Sequence, residues 1–393
     1  MTRFLEKTVA ITGVGQSEIA RPARRSALAL TLTACLAAIE DAGLDRSEID
    51  GVATWPGRTD RDPGLGPIGV DEVKDALRLP LSWQLGAAET PQYGPMFSGV
   101  AALASGMARH VLVFRTVAEA TSRAQADRAS PFATERVPDQ RFQWLLPFGA
   151  MSAANWTAFY AQRHFQEYGT TEAQLGQIAV NARRNAMLNP KAIYRTPLTL
   201  DDYLASRYIT TPLRLYDCDV PVDASTAVIL SRMDETRGLR HPPLRIEAVG
   251  SAIHDRPHWD QRADLTTMMG HEASAMMWSR TDLKPKDVQT AQLYDGFSVL
   301  TLMWLEALGF CGKGEGGPFI EGGHRIARDG PLPINTHGSQ LSEGRTHGFG
   351  LLHEAALQMW GRAGERQLET PPQLAVAASG GGNTCGCMVL VRE

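Results

Sequence analysis

Two stretches of the chain repeat one order of apolar and polar positions. The first begins with Val9-Ala10-Ile11-Thr12-Gly13-Val14-Gly15, a short apolar run ending in glycine, which predicts a strand. An Ala/Leu-rich helical pattern from about Ser26 to Ala42 follows, with Gly43 placed to stop it. Leu44 to Asp50 then leads into a second apolar run, Gly51-Val52-Ala53-Thr54. In the second stretch, Leu244 to Gly250 predicts a strand, about Thr266 to Arg280 a helix, and Leu283 to Val288 leads into Thr290-Ala291-Gln292-Leu293-Tyr294-Asp295. A Leu-x-x-x-Glu-Ile core in the first recurs as Leu-x-x-x-Asp-Val in the second. Strand, helix, turn and strand in the same order twice predicts two duplicated α/β halves.

The remaining patterns fit that frame. Gly99 to Arg109 predicts a helix of small residues that feeds a strand at His110 to Phe114. Residues from about 116 to 215 form a long, partly helical insertion. Asp223 to Leu230 closes the first half, and the charged, proline-bearing stretch 232–243 is a linker. The halves are therefore expected at 1–235 and 240–393. Ala375 to Ala378 reads as the last strand, running into a Ser379-Gly380-Gly381-Gly382 loop.

With 393 residues, 43% of them apolar, there is ample material for a core. A net charge of −4 without runs of like sign argues against a nucleic-acid partner. No apolar run is long enough to span a membrane, and the first residues lack a signal-peptide core. Five cysteines in such a chain predict reduced thiols and a cytoplasmic setting, with Cys385-Gly386-Cys387 in a glycine-rich turn. No metal site is expected.

Candidate chemistry gathers in four loops: Tyr294-Asp295-Gly296-Phe297, Asn335 to Gln340, Ser342 to Gly348, and Ser379 to Gly382. Loops at strand ends hold ligands in α/β folds, and glycines there expose N–H donors to an oxyanion. Singly each signal is weak. In order, Tyr294-Asp295-Gly296-Phe297, Gly338-Ser339 through Gly344-Arg345-Thr346-His347-Gly348, and Gly380-Gly381-Gly382 resemble the C-terminal signature blocks of the thiolase superfamily. Leu305-Glu306-Ala307-Leu308-Gly309-Phe310-Cys311-Gly312 and Leu332-Pro333-Ile334-Asn335-Thr336-His337-Gly338 further resemble its lipid-transfer branch, and within it the bacterial steroid side-chain aldolases. The resemblance implies a thiolase fold of five layers, α-β-α-β-α, a homodimer, and a small OB-fold/zinc-ribbon partner protein that helps hold an acyl-CoA substrate.

The departures from that pattern shape the functional expectation. A thiolase needs a nucleophilic cysteine in the segment that here reads Glu89 to Gly99, which has none. The second thiolase cysteine falls at about Ala378, the asparagine or histidine of the third block is Tyr294, and the histidine of the Gly-His-Pro block is Arg345. In the related aldolases a second tyrosine stands where this chain has Arg345. The expected reaction is retro-aldol cleavage of a β-hydroxyacyl-CoA without a covalent intermediate and without a cofactor beyond the CoA of the substrate. Tyr294, Arg345, His347 and His337 are the expected catalytic groups, with Tyr294 needing a cation or hydrogen bond to act as phenolate. Asp295, Gly338, Ser339, Gly381, Gly382 and Tyr93 are expected against the substrate. The alternatives are a non-catalytic acyl-CoA or lipid-binding homologue and a cysteine-free acyltransferase.

Overall fold

The protein is described from a computed structural model covering residues 4–59, 63–125, 143, 145–150, 152–253 and 258–393. Among these residues eleven strands form: β1 (Val9–Gln16), β2 (Gly51–Thr54), β3 (Trp83–Gly86), β4 (His110–Ala118), β5 (Tyr208–Thr210), β6 (Leu213–Arg214), β7 (Asp223–Arg232), β8 (Leu244–Ile253), β9 (Thr290–Leu293), β10 (Leu374–Gly381) and β11 (Thr384–Arg392). Nine of them join in the order β3-β2-β4-β7-β1-β8-β11-β10-β9, while β5 and β6 pair separately. In the first half β2 runs parallel to β4, β4 antiparallel to β7, and β7 antiparallel to β1. The second half repeats this with β9, β10, β11 and β8. The repeats seen in the sequence thus occupy equivalent places. The halves meet at a short antiparallel seam, Ala10 with Arg245 and Ile11 with Leu244.

Strand side chains alternate between two faces, and the apolar clusters follow that period. Val111, Val113, Val228, Leu230, Ala375, Ala377, Met388 and Leu390 face a central layer built from the helices Gly94–Ala104 and Phe349–Met359. Leu112, Phe114, Ala227 and Ile229 face outward, against the helix Ala27–Ala42. Val376, Ala378, Cys385, Cys387 and Val389 face the outer layer of the second half, where the insertion helices Ala153–Tyr168 and Glu172–Met187 also lie. These are the five expected layers.

Local chemistry explains the boundaries. Ser26 caps Ala27–Ala42 by accepting from the Ala29 N–H, and Gly43 ends it at φ +77°. The helix lies so close to β1 that a Cβ at Gly15 would come within 2.3 Å of the Ala34 carbonyl. The small-residue helix starts five residues earlier than its pattern suggests, at Gly94, with Pro95 in its first turn. One expectation is corrected outright. Ser379 to Gly381 belong to β10, and Cys385-Gly386-Cys387 lies inside β11 rather than in a turn. Glycine is needed there because Phe97 of the central layer would stand 2.9 Å from a Cβ on Gly386.

Candidate active site

Tyr294 leaves the end of β9, which Asn335 pins by accepting the Leu293 N–H at 2.7 Å and donating to the Leu293 carbonyl at 2.9 Å. The side chain is buried, and its hydroxyl oxygen lies 3.3 Å from Gln92 Nε2. Gln92 precedes the helix Gly94–Ala104, in the segment where a thiolase keeps its nucleophile. Its carbonyl oxygen accepts from the Ser379 hydroxyl, so Ser379, Gln92 and Tyr294 form one chain of polar groups. Burial, with the charges of Asp219 and Asp295, pushes the Tyr294 hydroxyl up, against the opposing pull of Gln92 and Arg115. This shift favours the neutral hydroxyl of Tyr294 over the phenolate anticipated from the sequence.

A charged cluster lies beside it. Arg345 is ion-paired to Glu119 and stands 3.3 Å from Asp219. His347, at φ +50°, puts Nε2 3.5 Å from Glu119, and Arg115 donates to its Nδ1 at 2.7 Å. An arginine can only donate, so the proton of the neutral imidazole sits on Nε2. Burial, then Arg115 and Arg345, hold the ring well below its ordinary pKa. Trp55, at the end of β2, supports the cluster: the Arg115 guanidinium lies over its ring at 4.9 Å, and His347 meets it edge-on at 5.7 Å. Asp219 is pushed up by burial and by Asp295.

Other expected residues sit elsewhere. His337 pairs with Glu343 at 3.5 Å, and Asn189 bonds both the His337 carbonyl and Glu343 Oε1 at 2.8 Å. Among the described residues none of its contacts joins it to the Tyr294 hydroxyl or to the ion pairs of Arg345. Asp295 is fully buried and accepts the Gln340 N–H at 3.1 Å, with Ser339 beside it, so it ties the turn Ser339–Glu343 to β9. Gly338 packs on Ala186, where a Cβ would approach to 2.5 Å. Tyr93 is 0% exposed and donates to the Gly348 carbonyl at 2.9 Å, which places it in the central core instead of against substrate. Gly381 lies against Leu300, and Gly382 lies under Trp259 with its carbonyl accepting the Met269 N–H.

The sequence reading missed Gln92, Arg115, Glu119 and Asp219. Arg115 left a signal, a charge at the end of the apolar run from His110 to Phe114. The others left none, because the fold brings them together from separate segments. Cys385 and Cys387 are 0% exposed, and burial pushes both thiols up, so neither is a ready nucleophile. Among the described residues no three His, Cys, Asp or Glu side chains are placed to hold a metal, and no helix is long and apolar enough to cross a membrane.

Two duplicated halves with a central helical layer form the frame, and Gln92, in the segment without a cysteine, meets Tyr294 there. The family described as thiolase C-terminal domain-like matches residues 251–392. A steroid side-chain-cleaving aldolase from Thermomonospora curvata is 34% identical, covering 96% of each chain. The 17-hydroxy-3-oxo-4-pregnene-20-carboxyl-CoA lyase of Mycobacterium tuberculosis is 33% identical over 91% of this chain and 93% of its own. The solved Ltp2-ChsH2(DUF35) aldolase superposes with a TM-score of 0.87 at 31% identity, covering 99% of each chain. The chain belongs to the thiolase superfamily, in the lipid-transfer branch that contains the steroid side-chain-cleaving aldolases. It is a lyase acting on an acyl-CoA.

Proposed function

We propose that the chain cleaves the Cα–Cβ bond of a β-hydroxyacyl-CoA by a retro-aldol reaction, with the side chain of a steroid as the acyl group. In this reaction the β-hydroxyl loses its proton, its O–H electron pair becomes the C=O of a ketone or aldehyde, and the Cα–Cβ pair moves into a thioester enolate. A proton returned to Cα gives the shorter acyl-CoA, so nothing is oxidised or reduced. Asp219, beside Tyr294 and 3.3 Å from Arg345, is the proposed proton acceptor: the rise that burial gives its carboxyl makes its ionised form, when Arg345 supports it, a stronger base than an exposed aspartate. Tyr294, kept neutral by burial, is the proposed donor to the enolate. His347, with its proton on Nε2, serves as a hydrogen-bond donor to developing negative charge and not as the base.

The observation that carries this reading is the Tyr294 hydroxyl held by Gln92, which lies in the segment that lacks the thiolase nucleophile. The steroid substrate is supported by the two curated relatives. A small OB-fold/zinc-ribbon partner is supported by the two-part name of the similar solved aldolase. A homodimer and a cytoplasmic setting complete the proposal. The test is mass spectrometry of products after incubation with a panel of β-hydroxyacyl-CoA esters, with and without the partner. A ketone or aldehyde plus a shortened acyl-CoA is expected; acyl transfer to free CoA, or CoA-ester binding without turnover, would overturn it.

A further inference from the structure

Arg183 lies in the middle of the insertion helix Glu172–Met187 and is only 6% exposed. Two of its nitrogens are engaged by neutral groups: Nε donates to the Ser342 hydroxyl at 3.0 Å and Nη1 to the Thr196 carbonyl at 2.9 Å. Its guanidinium sits between two tyrosine rings, 5.3 Å from the centre of Tyr194 and 5.6 Å from that of Tyr216. Among the described residues no carboxylate lies within ion-pair distance of it. A buried cation without a counter-charge is costly, and proteins keep one where a ligand supplies the anion.

That ligand has room. Arg183, Tyr194 and Tyr216 line a cavity of about 420 Å³, with Arg21 at its rim bonded to the Tyr194 hydroxyl. Leu215 and Leu341 supply apolar wall. One acidic side chain, Asp219, also lines it, but Asp219 faces Arg345 at 3.3 Å, so it leaves Arg183 uncompensated. Through Asp219 the cavity borders the charged cluster beside Tyr294.

We infer that this cavity is a binding subsite for an anionic oxygen group, phosphate or carboxylate, on a ligand whose apolar part lies against Leu215 and Leu341. The planar guanidinium of Arg183, with Nη2 engaged by neither Ser342 nor Thr196, suits anionic oxygens, and the leucines suit the apolar part. Two parts of one substrate offer this chemistry, the adenosine phosphate of CoA and a carboxylate on a ring-bearing acyl group. The assignment to this substrate rests on the lyase reading above; the binding chemistry does not.

The test is calorimetric titration of the full chain with adenosine 3′,5′-bisphosphate and with a steroid carboxylate, each against its neutral counterpart, adenosine and a steroid alcohol. At least one anion binds more tightly than its counterpart and weakens with added salt. Which anion does so identifies the source. Arg183→Met weakens that anion roughly 10- to 100-fold and leaves the neutral molecule unchanged, while Arg183→Lys retains part of the affinity. If Arg183→Met does not fold, Leu215→Trp decides, since it fills the mouth without touching the guanidinium and abolishes the same binding. Anion binding that is absent, or indifferent to both variants, overturns the subsite. Arg183-dependent binding without lyase turnover would instead sink the reaction and leave the subsite standing.

Discussion

The two halves of the molecule are built on one plan and put it to different use. After β2 the first half places Trp55; after β9 the second places Tyr294. Trp55 has no acidic proton to give and serves as a platform for Arg115 and His347. Tyr294 occupies the matching corner with a hydroxyl on Gln92. The contrast also runs within one residue type. Tyr93 of the first half and Tyr294 of the second are both buried, but the Tyr93 hydroxyl is committed to the Gly348 carbonyl, and that of Tyr294 to an amide beside the ion pairs. A duplicated frame therefore does not decide where chemistry sits. The partner of a single oxygen atom does.

Removing each oxygen tests that contrast most directly. Tyr294→Phe is expected to lower lyase turnover by about 10²- to 10⁴-fold with little change in melting temperature, because only the acid–base group is lost. Turnover near that of the unaltered protein would make Asp219 and His347 the residues to examine next. Arg345→Lys sharpens the assignment of the charged cluster. Lysine keeps the charge but cannot span Glu119 and Asp219 with a planar fork, so a loss of about tenfold in kcat is expected, with the fold intact. An unchanged kcat would show that Arg345 only braces the loop.

Tyr93→Phe is the reverse experiment. It leaves the Gly348 carbonyl without its donor and should cost about 1–3 kcal/mol of stability in denaturant unfolding while sparing turnover. A collapse of kcat in a folded Tyr93→Phe protein would return Tyr93 to the substrate surface.

The smallest expected effect concerns the buried pair of His337 and Glu343. Burial pushes the Glu343 carboxyl from its ordinary 4.5 to about 8, and the His337 ring from 6.5 down to about 3. Between pH 4.5 and about 8 the folded state holds a proton on Glu343 that the unfolded chain has released, so this group's stabilisation falls as pH rises. His337 acts oppositely from about pH 3 to 6.5, where the unfolded chain carries the extra proton. The two oppose each other up to 6.5, and a decline remains from there to about 8. Glu343→Gln should flatten that decline in melting temperature; an unaltered slope would mean that Glu343 is ionised in the folded protein.

Much of the fold was legible along the chain. The duplicated pattern from Gly15 to Thr54 and from Gly250 to Tyr294 marks the equivalent halves, because each period of apolar positions reports which face an element buries. The glycine-rich tail was misread for a physical reason. Glycine signals a turn locally, yet at Gly386 it serves a strand that the Phe97 ring presses against, and only a neighbour 289 positions away in sequence imposes that. The sequence by itself also placed Tyr294 at a strand end and Arg345 and His347 in a loop among glycines, and it showed no cysteine in the segment where a thiolase keeps its nucleophile. Only the tertiary structure decided what these residues are. Burial and Asp219 keep Tyr294 protonated, Arg115 settles the His347 proton, Glu119 claims Arg345, and Asn189 and Glu343 draw His337 away. Protonation and pairing depend on distance and on exclusion of water, and neither is a property of position along a chain.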